Sequence, residues 1–562
     1  MKIFIYIPIL LLFAGCAGTK SITYNTSTDD LLSFSSFIET DFLRKHLEVI
    51  AHDSLEGRGT GTQGIEKAAS YIADFYEELQ FTPKGDDGSW FQHYTLNASI
   101  TDSLVYTTYR IEGTDTLRVN HSVESIESYG EYYRLFGGSA PIAADIVFAG
   151  FGVNDPSRGV LNLDSADISG NWVLLFEDIP HIVDGDTLIN PQINSNDRLS
   201  LILRESNARG ILFISEQIEE EYTMLARMQS KIVGTPENLT LEYLDSGQSR
   251  SGFPVGFKNV HPQLAAEILG LSDPSELESL RDGLIQNITK FRAHKTGFYL
   301  DYTPYSRAGA IESKNVLAYL EGTDPDLKDE VVVLLAHYDH MGIGEPDASG
   351  DMIYNGADDN GSGTVALMAI ANALNEARQS GFKPKRSILF LHVSGEEAGL
   401  LGSRYYSDHP VIPIENTIAN FNADMIGRSD PEQTEAGDTD YVYLIGGDII
   451  SSELDSIVVA ANKRSVNMQL NRRYNDLSDP SQIYRRSDHW NFGRFGVPFV
   501  FFFTGLHADY HRPSDTVDKI EFDKYSRVVQ LIYTSSVKVA NSASRPQADN
   551  QEFIDITGRI PR

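Results

Sequence analysis

The chain has 562 residues, enough for two or three domains, and hydrophobic residues make up 41% of it, so each domain can bury a core without disulfides and disorder is not the default. A formal net charge of −33 excludes a nucleic-acid binder, which needs clustered Lys and Arg to meet phosphates. The surplus acid reads as a solvated surface.

The first 18 residues, MKIFIYIPILLLFAGCAG, carry an early lysine, an apolar centre and small residues at the end. That is the pattern of a secretory signal, too short for a stable membrane span. The single cysteine, Cys16, ends the run Phe13-Ala14-Gly15-Cys16, which resembles a bacterial lipobox. The expectation is an exported lipoprotein of the bacterial cell envelope, held to the membrane by lipid on Cys16 and left with no free thiol. Residues 19–37, with Ser, Thr and Asp prominent, read as a tether.

From 38 to 96, apolar residues at helical spacing in FLRKHLEVIA and IEKAASYIADFYEEL predict two helices. Between them DSLEGRGTGTQG is a glycine-marked loop with a functional or packing role, and the phosphate-loop pattern is absent. From 97 to 296 the style changes to short strand-like runs, LVYTTYRI, ADIVFAGFGV, GNWVLLFED and ARGILFIS, with one helical piece at DRLSLILRESN. This predicts a β-rich module inserted into the first domain. From 297 to 545 strands are expected at 315–320, 331–336, 387–393, 418–423, 441–446 and 497–503, and helices at 361–378, 451–463 and 519–541. The alternation predicts an α/β fold with a doubly wound, mostly parallel sheet and helices on both faces. The polar stretch 546–562 reads as a poorly ordered tail.

The chemistry-bearing residues follow the apolar runs. His337 and Asp339 come after the first, Glu396 and Glu397 after the second, Asp424 after the third, and His507, Asp509, Tyr510, His511 and Asp515 after the last strand. Open α/β sheets bind ligands at the carboxyl ends of their strands, so His337, Asp339, Glu396, Glu397 and Asp424 are expected to converge, with the last group beyond another strand's carboxyl end. Imidazoles and carboxylates without thiolate are the donors that Zn²⁺ or a similar divalent ion takes in catalytic sites. Crowded carboxylates without a cation would repel and have to protonate. A pair such as Glu396 and Glu397 can supply one ligand and one general base. Ser487, Asp488 and His489 read as support for the pocket, while Arg486 is either a clamp for a substrate carboxylate or a brace for the acidic site.

The ordered motifs HYDH, GADDNGSG, SGEEAGLLGS, NADMIG, RSDHWNFGRFGVP and DYHRPSDTVDKI resemble the M28 family of zinc aminopeptidases, and ADIVFAGFGV, ISGNWVLLFED and ARGILFIS resemble a protease-associated (PA) domain. The resemblance implies two divalent ions, in this family Zn²⁺, one held by His337 and Asp424, the other by Glu397 and His511, with Asp359 bridging. Asp359 is preferred to Asp358 because the family's bridging residue directly precedes the position occupied by Asn360. Glu396 is implied as the general base and Asp339 as the carboxylate that orients His337. Tyr510 matches a position where some relatives place a hydroxyl that stabilises the tetrahedral intermediate. The implied substrates are peptides with a free N-terminus, shortened one residue at a time. Glutaminyl cyclases share the fold and much of the ligand set but commonly carry Trp before the final His, where this chain has Tyr510. Inactive binding homologues also use the scaffold, but here every implied ligand and the base are present.

Overall fold

The computed structural model describes residues 24–557 apart from 113–115, 124–132, 137–140, 164–167, 184, 215–235, 245–255, 345, 348 and 480. The signal-like segment with Cys16, and residues 558–562, lie outside the described residues. Among the described residues no helix is long and apolar enough to cross a membrane.

In chain order the elements that matter are α1 (Thr40–Ile50), α2 (Gln63–Glu78), β1 (Phe91–Glu112), β2 (Ile142–Phe148), β3 (Trp172–Phe176), β4 (Gly210–Ile214), β5 (Gly256–Val260) and β6 (His294–Leu320). They are followed by β7 (Val331–His337), α3 (Gly363–Gln379), β8 (Ser387–Val393), α4 (Leu401–Asp408), β9 (Thr417–Ala423), β10 (Tyr441–Gly446), α5 (Ser452–Arg464), β11 (Gln469–Asn471), β12 (Phe499–Phe503), α6 (Phe522–Ala540) and α7 (Gln551–Thr557).

The C-terminal part of the sheet runs β11-β10-β12-β9-β7-β8-β6. Its centre is parallel: β7 pairs with β8 from Val331↔Ser387 to His337↔Val393, and β9 lies between β7 and β12. Antiparallel β6 and β10 flank the parallel strands. Every residue of β7, β8 and β9 is buried, which accounts for the unbroken apolar runs. Successive side chains point to opposite faces. Val332, Leu334 and Ala336 join the core under α1, α2, α3 and α6. Val331, Val333 and Leu335 join Tyr406 and Phe492 on the other face. α3 is buried on nearly all sides, as a helix without a polar stripe must be. Each fully buried Val or Leu contributes about 1.5–3 kcal/mol, so the central layer can hold a polar site at its edge.

The β-rich part is joined to this sheet rather than hung from it. β1 and β6 pair antiparallel from Phe91↔Val316 to Arg110↔Phe298, and β6 continues the sheet into the order β6-β2-β3-β4-β5. The expected boundaries at 97 and 296 therefore fall inside strands, not in linkers. Pairing along such a length holds Gly309 in one strand opposite Ala98, whereas local composition reads it as a turn signal. The β-rich part still has its own cores, one around Trp172, Leu212, Leu264 and Tyr302 and one around Val173, Leu175, Ile202 and Ile211.

Both expected ends differ from their reading where they are described. Within the segment read as a tether, Thr28–Ser33 is helical, Leu31 is fully buried, and the Tyr533 hydroxyl donates to its carbonyl. In the segment read as a poorly ordered tail, α7 buries Phe553 against Trp490 and Phe499, with ring centroids 6.2 and 5.9 Å away. A few apolar side chains in polar surroundings dock on distant elements that local composition does not identify.

Candidate active site

The loops at the carboxyl ends of the parallel strands meet at one edge of the sheet. His337 is the last residue of β7, Glu396 and Glu397 follow β8, Asp424 directly follows β9, and His511 lies in the loop after β12. The 357–362 turn that carries Asp359 leads into α3. Gly363 is required there by close approach, because a Cβ would sit 2.1 Å from the Ala423 carbonyl oxygen. Met425 and His511 adopt φ of 51° and 55° without being glycine, a conformation that costs about 1–3 kcal/mol each.

Asp359 stands between two groups of donors. Its Oδ1 lies 3.5 Å from His337 Nε2, and its Oδ2 lies 3.2 Å from His511 Nε2 and 3.8 Å from His340 Nδ1. On the first side, Asp424 Oδ1 is 3.5 Å and Glu396 Oε2 4.0 Å from His337 Nε2. On the second side, Glu397 Oε2 is 3.1 Å from His511 Nε2, while its Oε1 is 2.8 Å from His340 Nδ1. Compact sets able to hold a cation are His337, Glu396 and Asp424, and His340, Asp359 and Glu397. The second group is approached by two imidazoles, His340 from one side of Glu397 and His511 from the other. Tyr510 lines the same cleft and stacks its ring on His511 at 3.7 Å.

The supporting contacts explain why the donors sit where they do. Asp339 lies 3.6 Å from His337 Nδ1, and its carboxylate also accepts the backbone N–H groups of Glu396 and Glu397 and the Thr60 hydroxyl. It thereby couples the end of β7 to the glutamate pair. Ser487 Oγ donates to Asp424 Oδ2 at 2.7 Å and accepts from Asn422 Nδ2. Asp488 and His489 are fully buried beside it. Asp358 turns away from the cleft: its Oδ1 accepts from Gly427 N at 2.6 Å and its Oδ2 lies 3.3 Å from His507 Nε2. Buried Asp515 accepts the backbone N–H groups of both Asp358 and Asp359. Asp509 is engaged away from the cluster, with Arg428 and Lys519.

The glycine-marked loop between α1 and α2 contributes Arg58, which is completely buried. Its guanidinium donates to the carbonyls of Ile50, Tyr338, Asn355 and Gly356 at 2.7–2.9 Å. It thus ties α1 to the two segments that bear His337 and Asp359. Burial lowers its pKa to about 10, against the pull of Asp339, Asp359, Asp515 and Glu397, so it remains a cation at neutral pH.

The crowding of acids and imidazoles shifts their titration. Burial pushes the Glu396 carboxyl well above its ordinary value, opposed by His337 but assisted by Glu397, Asp488 and Asp424. Asp359 is raised by burial and then by Glu397, and Asp488 is pushed up to about 7 by burial. Burial also acts on Glu397, but hydrogen bonds from His340 and His511 hold it well below the usual carboxylate range. Burial disfavours charge on His511, yet Asp359 and Glu397 raise it to about 10. Without a cation, the carboxylates must share protons and draw them onto imidazoles. His337 Nε2, which faces Asp359 and Asp424, is buried without a hydrogen-bond partner. An orphaned donor among mixed imidazole and carboxylate fits divalent metal.

His340, Arg58 and Asp515 were not singled out from the sequence as parts of this machinery. His340 had a local signal, three residues after His337 in HYDH. Arg58 had only its loop. Asp515 had its place beyond the last strand, but that its carboxylate would accept the backbone N–H of Asp359 depends on two loops 156 residues apart.

The Peptidase family M28 model matches residues 315–535. A probable leucine aminopeptidase from Arthroderma otae is 27% identical over 240 residues, 42% of this chain and 61% of that protein. The chain thus spans less than two thirds of that relative. Among solved structures, a Peptidase M28 precursor from Shewanella amazonensis aligns with TM-score 0.51 and 16% identity, over 93% of this chain and 99% of that one. A zinc aminopeptidase from Bacillus subtilis aligns with TM-score 0.50 and 17% identity, over 91% and 98%. These two likenesses show the fold. The family match over residues 315–535, the relative and the donor set together support a metallopeptidase of the hydrolase class.

Proposed function

We propose that the protein is a metal-dependent aminopeptidase that removes N-terminal residues from peptides, using two divalent ions, Zn²⁺ in this reading. The observation that carries it is Asp359, with one oxygen toward His337 and the other toward His511. His337 and Asp424 would hold one ion, Glu397 and His511 the other, with Asp359 shared. Bound ions would supply Lewis acidity toward the scissile carbonyl and make water a stronger acid.

The chain's own residues do the rest. Glu396, desolvated and raised in pKa, is the general base that takes the proton of the attacking water and returns it to the leaving amine. Asp339 keeps His337 and the glutamate pair in register. The Tyr510 hydroxyl is read as a donor to the oxyanion that forms at the scissile carbonyl. The ring of carboxylates favours a positively charged α-amine on approach, which sets cleavage beside a free N-terminus. The aminopeptidase names among relatives support the same reaction. The β-rich part is read as PA-like, a module narrowing access to the cleft, with its separate cores in support.

Leucine p-nitroanilide and unblocked peptides are expected to be cut at near-neutral pH, and N-acetylated versions not. Equal cleavage of blocked and free substrates would reject the assignment but leave a metallohydrolase. Cyclisation of N-terminal Gln without peptide cleavage would select a cyclase instead. Export and anchoring through Cys16 are proposed from the lipobox-like run; Cys16→Ala should move the protein from the membrane to the soluble fraction, and unchanged membrane retention after signal cleavage would point to another anchor.

A further inference from the structure

We propose that Arg486 forms a subsite for the free C-terminal carboxylate of short peptides, so that the enzyme favours dipeptides and tripeptides. The proposal rests on the aminopeptidase reading and names its substrate class.

The cleft that contains Asp359, Glu396 and Asp424 has an apolar wall of Met425, Ile483, Phe501, Phe503 and Leu506, and Arg486 lines the same space. Arg486 is exposed. Among the described residues its guanidinium has no hydrogen-bond or ion-pair partner, although three carboxylates share its cleft. A brace for the acidic site would pair with one of them. Its backbone is held on both sides: Ile483 and Tyr484 are buried before it, its N–H donates to the Ile483 carbonyl, and Ser487 after it donates to Asp424. A flexible cation therefore rises from a base anchored to the proposed metal ligands.

An unpaired guanidinium presents a planar fork of donors suited to carboxylate. The apolar wall suits an uncharged first side chain, because a carboxylate lodged there would lose its hydration. That leaves the exposed cation for the downstream end of the substrate, where one or two extended residues reach about 3.5–7 Å beyond the scissile bond. The general field of a chain with net charge −33 works against a substrate carboxylate, so a preference for one needs a local cation.

The test compares Leu-Gly with Leu-Gly-amide, and Leu-Gly-Gly with its amide, on the metal-loaded full-length enzyme and on Arg486→Gln. The free acids should be favoured by about 10-fold in kcat/KM, the size of one charge-assisted hydrogen bond. The ratio should fall to near one in Arg486→Gln, mainly through KM, and be partly restored in Arg486→Lys. Equal cutting of acid and amide by the wild type overturns the subsite, as does a preference that survives Arg486→Gln. A parallel fall for both substrates makes Arg486 a brace, and a selective loss on peptides beginning with Asp or Glu makes it a reader of the first side chain; either overturns the proposal. A wild-type enzyme that cuts neither peptide nor leucine p-nitroanilide overturns the aminopeptidase reading itself.

Discussion

Glu396→Gln is expected to lower kcat by about 10²- to 10⁴-fold, the usual worth of general-base help, while metal content stays the same. The geometry sets this expectation. Around His337 Nε2, Asp359 and Asp424 stand at 3.5 Å and Glu396 at 4.0 Å, so Glu396 is the carboxylate least committed to that nitrogen. Its burial raises its pKa, and a raised pKa makes the ionised form a better proton acceptor. Glutamine keeps the shape and loses the proton acceptance. Steady-state kinetics with elemental analysis of the purified variant decides the matter. Near-normal turnover would remove Glu396 from the chemistry. Loss of an ion would instead make it a ligand, which the compact His337, Glu396 and Asp424 set allows for.

Asp359→Asn is expected to weaken binding of at least one divalent ion by about 100-fold or more, beyond the 10- to 100-fold that loss of an outer-shell partner causes. One carboxylate facing both groups contributes charge to each, and the amide that replaces it is neutral and has a single acceptor oxygen. Calorimetric titration of the apo protein with Zn²⁺ reads the loss directly and does not depend on turnover. Two ions bound at wild-type affinity would sink the bridging role. Asp358→Asn is the matched comparison, because Asp358 bonds Gly427 and faces His507 behind the site. If Asp358→Asn lost the ions and Asp359→Asn kept them, the choice between the adjacent aspartates would be reversed.

Much of the C-terminal sheet was legible from hydrophobic pattern. The runs at 331–336, 387–393 and 418–423 are continuous because both faces of the parallel centre are covered, and they match strands Val331–His337, Ser387–Val393 and Thr417–Ala423. The helices at 361–378 and 519–541 likewise correspond to Gly363–Gln379 and Phe522–Ala540. The β-rich part was harder. Its central strands were recognisable as apolar runs, but β1 and β6 extend across the expected boundaries because each pairs with the other. Long-range pairing leaves little trace in local composition.

The sequence by itself determined which chemistry the site can do. Residue type and order place His337, Glu396, Glu397 and Asp424 beyond strand ends, and a parallel sheet brings its carboxyl ends to one edge. The tertiary structure alone decided which distant groups meet. His340 reaches Glu397, Asp515 accepts the backbone N–H of Asp359, and Arg58 reaches four carbonyls from three segments. The physical reason is that strand order and face follow from local periodicity, whereas side-chain direction at a strand end depends on loop dihedrals and on partners up to 298 residues away in the chain.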